Sequence, residues 1–86
     1  MKTLEGLKAD GYEYLKKITA VDYDTYLEIV YILYSMSAKR EEIVKVKLPA
    51  ESLSLPTVMH VFKAADWYER ELAEMFGVAI NGRSAG

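Results

Sequence analysis

Residues 26–36, Tyr-Leu-Glu-Ile-Val-Tyr-Ile-Leu-Tyr-Ser-Met, constrain the fold more than any other stretch of the chain. They are dense in β-branched and aromatic side chains, which suit a pleated, packed surface. Leu27, Ile29, Tyr31 and Leu33 fall on one face of such a strand. Tyr26, Val30, Ile32, Tyr34 and Met36 fall on the other, interrupted by Glu28. A strand with one wet face alternates apolar and polar residues, and this one hardly does. Two outcomes are open: a central strand covered on both faces, or one face left for a partner.

The neighbouring segments supply its sheet. Residues 14–22 read as β, most strongly over Ile18-Thr19-Ala20-Val21, and Asp22-Tyr23-Asp24 reads as a turn. Ser37-Ala38-Lys39-Arg40 makes a polar hairpin loop. Residues 42–48 then alternate, with Val44, Val46 and Leu48 on one side and Lys45 and Lys47 on the other. Pro49 ends that strand.

Helices flank these strands. Residues 3–10 suggest a short first helix with Leu4 and Leu7 on one side, weakened by Gly6 and stopped by Gly11. Thr57 is placed to cap a short helix over residues 58–62, with Pro56 just outside it.

The last helix lies within residues 63–78. Asp66 is a candidate N-cap, Glu69 stands three residues on as a capping-box partner, and Gly77 suits the left-handed position that ends a helix. Tyr68, Leu72, Met75 and Phe76 share one face with Ala64 and Ala65. Glu69 and Glu71 edge this stripe, and Arg70, Ala73 and Glu74 lie opposite. Trp67 falls off the stripe, beside Glu71 and Glu74, and needs a second surface to cover it. The order helix, three strands, short helix, helix predicts a two-layer α+β domain with helices on an antiparallel or mixed sheet of about three strands. Residues 1–80 form this single domain in that reading, and residues 81–86 a loose tail.

Composition narrows the chemistry. With 86 residues, 51% hydrophobic and 28% charged, the chain has the content of one small globular domain. A formal charge of −2 and no basic patch argue against nucleic acid as a partner. The sequence has no cysteine, which excludes disulfides, thiolate zinc sites and cysteine-held iron–sulfur clusters within it. No apolar run approaches the roughly 18–20 residues that span a bilayer, and no signal peptide is evident. The expected location is cytoplasmic, with any membrane link made through other subunits.

No catalytic, cofactor-binding or metal-ligating residue stands out. Asp66, Glu69, Glu71 and Glu74 are acidic neighbours, but a di-metal site needs matching carboxylates and histidines from other helices. His60 is the one histidine. No glycine-rich phosphate loop is present, and no serine or threonine has a histidine–acid pair to activate it. Met36, Met59 and Met75 are expected in the core. Arg70 is open to two readings: a surface arginine tethered to Glu74, or a planar donor fixed between Glu69, Glu71 and a partner's carboxylate.

The same helix carries a resemblance. Ala64-Ala65-Asp66-Trp67-Tyr68-Glu69-Arg70-Glu71, followed by Met75-Phe76-Gly77-Val78, resembles the signature of the thirty-kilodalton subunit of respiratory complex I. This is the C-subunit family of NADH:quinone oxidoreductases, with relatives in energy-converting membrane-bound nickel-iron hydrogenases. Gly11-Tyr12, Leu15 and residues 18–23 extend the similarity, so it covers residues 11–78. Glu74 departs from it, standing where many relatives have aspartate. So does the absence of a Gly-His-Pro-Asp run after Phe76-Gly77, of which only Asn81-Gly82-Arg83 is an echo.

The resemblance implies an α+β structural and assembly subunit with no cofactor of its own. Iron–sulfur clusters, flavin or a nickel-iron centre would belong to partner subunits. It implies docking on the large hydrogenase-like subunit of the peripheral arm, beside the cluster-bearing small subunit. Trp67, Glu69, Arg70, Glu71, Glu74 and Phe76 are the expected partner-binding residues. Two other classes stand beside it: a free-standing binding or regulatory module, self-associating through the apolar strand, and a small enzyme built on the acidic helix. A symmetric dimer without redox partners would mark the first, and a tightly bound metal the second.

Overall fold

The computed structural model describes residues 4–82. Strands β1 (Tyr14–Asp22), β2 (Tyr26–Ser35) and β3 (Arg40–Pro49) form an antiparallel sheet in the order β1-β2-β3. Helix α1 (Leu4–Ala9) precedes them, and strand β4 (Ser54–Pro56), helix α2 (Ala65–Phe76) and strand β5 (Ala79–Asn81) follow. The expected α+β architecture is thus observed, with two helices packed on a three-stranded sheet. A small parallel sheet of β4 and β5 is added to it.

The apolar segment is the central strand, but only one of its faces is covered. Leu27, Ile29, Tyr31, Leu33 and Ser35 are buried, while Tyr26, Glu28, Val30, Ile32 and Tyr34 remain half-buried on the outer face. Its inner residues pair across the sheet with Leu15, Ile18 and Ala20 of β1 and with Val44, Val46 and Leu48 of β3. Alternation within β3 thus predicted the inward side of that strand correctly. Met36, expected in the core, lies just past the end of β2 and is exposed.

Both hairpins close on local polar contacts. Asp24 adopts a left-handed φ of 70°, and its N–H donates to the Asp22 carboxylate at 2.9 Å. In the second turn Lys39 has φ 53°, and the Ala38 N–H donates to the Ser35 hydroxyl at 3.1 Å.

A β-bulge interrupts β1 between Leu15 and Lys17. A bulge puts one extra residue into the strand and re-aims the side chains around it. Lys16 lies over the Tyr34 ring and reaches Glu41 of β3 at 2.8 Å, whereas Lys17 turns to α2. The Glu41 carboxylate holds the Lys16 ammonium above the usual lysine range.

Two segments differ from expectation. Residues 58–62 form turns instead of a helix. Val61 and Phe62 donate to the Val58 carbonyl, and two such bonds do not offset the entropy of nucleating a helix. Residues 79–81, for which the sequence predicts no strand, form β5 because their ladder is completed by the distant residues 54–56. Asn81, assigned to the tail, also donates its side-chain amide to Ser54. Residue 3 of the expected first helix and residues 83–86 of the expected tail lie outside the described residues.

Under the sheet, α2 supplies Ala65 and Leu72 to the core, β4 supplies Leu55, the segment between them supplies Val61 and Phe62, and Val78 joins just after α2. Helix α1 adds Leu7, and its Lys8 ammonium donates to the Val61 carbonyl at 2.6 Å. Gly11 stops α1 at φ 102°, as expected of its position.

Candidate interaction site on the last helix

Helix α2 is positioned by its buried stripe. Ala65, Glu69 and Leu72 are its fully buried residues, at the i, i+4, i+7 spacing of one helical face, and Tyr68 and Phe76 are half-buried beside them. A carboxylate therefore sits in the middle of the face turned to the sheet.

Glu69 is 0% exposed, and both carboxylate oxygens are engaged. The Thr57 hydroxyl donates to Oε1 at 2.7 Å, and the Val58 N–H donates to Oε2 at 2.8 Å. Thr57 Oγ1 in turn accepts the Met59 N–H at 3.2 Å, and the Thr57 N–H donates to the Asn81 carbonyl at 2.8 Å. One carboxylate thus ties α2 to the turn after β4, and Thr57 ties that turn to β5. Burying a charge is tolerable only with such short, charge-assisted partners. Burial pushes the Tyr31 phenol above the usual tyrosine range, and the Glu69 carboxylate pushes it further.

This geometry corrects the reading of Glu69 as a capping-box residue. The helix begins two residues earlier, with Ala64 at the N-cap and no side-chain cap, and Asp66 lies within the first turn. Its spacing from Ala65 and Leu72 was the available signal for burial; the capping pattern masked it. Thr57 does cap the following turn, and its bond to Glu69 is long-range and absent from any local pattern. The C-terminal end is as expected: Gly77 has φ 69°, and its N–H donates to the Ala73 carbonyl at 3.1 Å.

The remaining site residues lie on other sides of the helix. Trp67 is 64% exposed, so no surface of the described chain covers it. Met75 is not a core residue: it is 73% exposed, because the buried stripe drifts from Leu72 to Phe76 and leaves it at the edge. Glu71 is half-buried and faces the Lys17 ammonium at 3.8 Å. Lys17 also lies over the Tyr68 ring, and the Tyr68 hydroxyl donates to the Lys16 carbonyl at 2.7 Å, beside the bulge.

Arg70 pairs with neither Glu69, Glu71 nor Glu74. Its Nε lies 3.2 Å from Asp66, one turn back, in an exposed pair. Glu74 is exposed in the last turn of α2, where no basic residue offsets the negative end of the helix dipole. The structure therefore groups Trp67, Glu71, Glu74 and Met75 toward solvent, with Arg70 alongside. Phe76 is half withdrawn and Glu69 fully so. Lys17, Tyr68 and Met75 border this surface, and spacing along α2 alone did not identify them.

No three histidine, aspartate or glutamate residues among the described residues are grouped so as to hold a metal ion. An open groove of the order of 120 Å³ runs between β1 and α2, lined by Lys17, Ile18, Thr19, Glu71, Met75 and Phe76.

Known proteins share both the sequence and the architecture. The C subunit of the NADH-quinone oxidoreductase of Neorickettsia sennetsu is 34% identical over 85 residues, covering 95% of this chain and 46% of that protein. Its counterpart in Rickettsia conorii is 40% identical over 63 residues, covering 73% of this chain and 25% of that protein. The chain thus spans less than half the length of these relatives.

Two solved structures share the fold. One is the trypsin-resistant fragment (1–134) of Nqo5, with TM-score 0.83 and 31% identity over 92% of this chain and 69% of that one. The other is a chain of the membrane-bound sulfane sulfur reductase, an archaeal respiratory membrane complex. Its TM-score is 0.89 at 30% identity, covering 94% of this chain and 50% of that one. The family described as respiratory-chain NADH dehydrogenase, 30 Kd subunit, matches residues 1–85, and the chain belongs to that family.

Proposed function

We propose that the chain is a non-catalytic structural and assembly subunit of a multisubunit, membrane-associated oxidoreductase of the NADH dehydrogenase or energy-converting hydrogenase type. Its work in that reading is to dock on the large hydrogenase-like subunit of the peripheral arm, beside the cluster-bearing small subunit. Electron-carrying groups belong to those partners, and the chain meets the membrane only through them. The arm it joins is cytoplasmic. Among the described residues no helix is long and apolar enough to cross a membrane.

One observation carries the proposal: the helix bearing the family's characteristic residues leaves Trp67 64% exposed while burying its neighbour Glu69. Tryptophan and arginine are enriched among the residues that dominate protein interfaces. Trp67, Arg70, Glu71 and Glu74 are the docking surface, with Phe76 at its margin. Glu69 acts from inside, fixing the helix that presents them.

A tagged copy expressed in its host and purified from solubilised membranes tests this. The large subunit is expected to co-purify, and Trp67→Ala to reduce its recovery at least tenfold. A chain recovered alone or as a symmetric dimer, with Trp67→Ala indistinguishable, would overturn the reading.

A further inference from the structure

We infer that the docking surface receives an extended strand of the partner subunit, added antiparallel to the edge of β1 along residues 18–21 and resting on the Glu71–Met75 side of α2. This deepens the proposed function and rests on it.

The two edges of the sheet are guarded unequally. β1 and β3 are its outer strands, so half of the backbone donors and acceptors of each point away from β2. Natural sheets guard such edges with bulges, lysines and proline. β3 carries Glu41, Glu42, Lys45 and Lys47 and ends in Pro49. The first half of β1 carries the bulge, Lys16 and Lys17, and the Tyr68 hydroxyl occupies the Lys16 carbonyl. Beyond the bulge, Ile18-Thr19-Ala20-Val21 has no charge or proline before Asp22 ends the strand. Among the described residues it is the stretch of edge left unguarded.

Ile18 and Thr19 of this stretch line the groove between β1 and α2, where Met75 is exposed. An added strand sends alternate side chains to the same side of the sheet as α2, so apolar residues there would cover Met75 and the half-buried Phe76. At the groove Glu71 faces Lys17 at a loose 3.8 Å, and the exposed Glu74 beside it adds negative charge in the last turn of α2, which holds no basic residue of its own. The segment that fits is therefore extended, apolar at alternate positions, and basic where it passes the C-terminal turn of α2. Trp67 lies one turn from Glu71 and is exposed on the same side of the helix.

A second copy of this chain does not have that chemistry. Antiparallel pairing of β1 with its own copy puts both α2 helices on one face of the joint sheet. Glu71 and Glu74 of each then approach like charges.

Backbone amide exchange tests the strand directly, comparing the chain free and within the complex purified from host membranes. Residues 18–21 are expected to slow at least tenfold on assembly, while residues 42–47 on the β3 edge change less than twofold. Met75→Asp, at an exposed position, is expected to weaken capture of the large subunit at least tenfold with the fold intact by circular dichroism. If Trp67→Ala abolishes capture but residues 18–21 exchange as in the free chain, the strand is wrong and the proposed docking face stands. If capture survives both substitutions and no protection appears, both inferences fall. Protection of residues 18–21 in a dimer of the isolated chain would also overturn the partner strand.

Discussion

The Thr57 hydroxyl donates to the buried Glu69 carboxylate at 2.7 Å, joining two residues twelve positions apart. With the Val58 N–H on the other oxygen, this contact holds the turn after β4 against the middle of α2. The face that α2 shows to solvent is therefore set by a charge that solvent does not reach.

Glu69→Ala is expected to destabilise the domain by about 2–4 kcal/mol, since it leaves the Val58 amide and Thr57 hydroxyl without their acceptor. Thr57→Val should cost about 1–2 kcal/mol. Urea unfolding of both single variants and the double variant checks this. The double variant should be less destabilised than the sum, because the two residues share one bond.

Trp67→Ala is expected to change the stability of the free domain by no more than about 0.5 kcal/mol, as for most exposed positions. Its effect belongs to binding, where loss of a central aromatic typically costs about 2 kcal/mol or more. Arg70→Ala removes only the exposed pair with Asp66 and should cost the free domain about 0.3 kcal/mol. Thermal unfolding beside partner capture separates the two effects. A Trp67→Ala domain that melts well below the parent would mean that the side chain supports the fold.

Tyr31 makes stability fall in alkali. Its phenol is held above the ordinary value of 10.0 by burial and by Glu69, so the folded state keeps its proton after the unfolded state has lost it. The stabilising contribution is complete below about pH 10 and is lost progressively as pH rises toward the folded value. Within that window the slope from this one group approaches about 1.4 kcal/mol per pH unit. Tyr31→Phe should flatten the fall in ΔG between about pH 10 and 11 relative to the parent. Parallel curves would remove Tyr31 as the cause.

Gly77→Ala should cost about 1 kcal/mol. At φ 69° an alanine is strained by its own backbone, yet no atom lies within 4 Å of the position a Cβ would take. Gly77→Asn should cost less than alanine, because asparagine tolerates the left-handed region better. Equal losses for the two variants, read from urea unfolding, would point to a packing cause.

Local patterning alone determined the three strands, the inward side of β3, the stop at Gly11 and the left-handed end of α2. Each depends on period, propensity or a single backbone angle, which neighbouring residues fix. The resemblance carried by residues 64–78 likewise reached the family without coordinates. Tertiary structure decided the rest. β4 and β5 exist only because residues 54–56 and 79–81 meet, and neither segment has enough residues to specify a strand locally. Met75 left the core and Glu69 entered it because α2 turns its Ala65–Glu69–Leu72 line inward, an orientation set by what lies opposite. The capping motif implied a solvent-facing glutamate, since local rules assign a charge to water unless distant partners are known. Thr57 and Val58 are those partners, and only folding brings them within reach of the carboxylate.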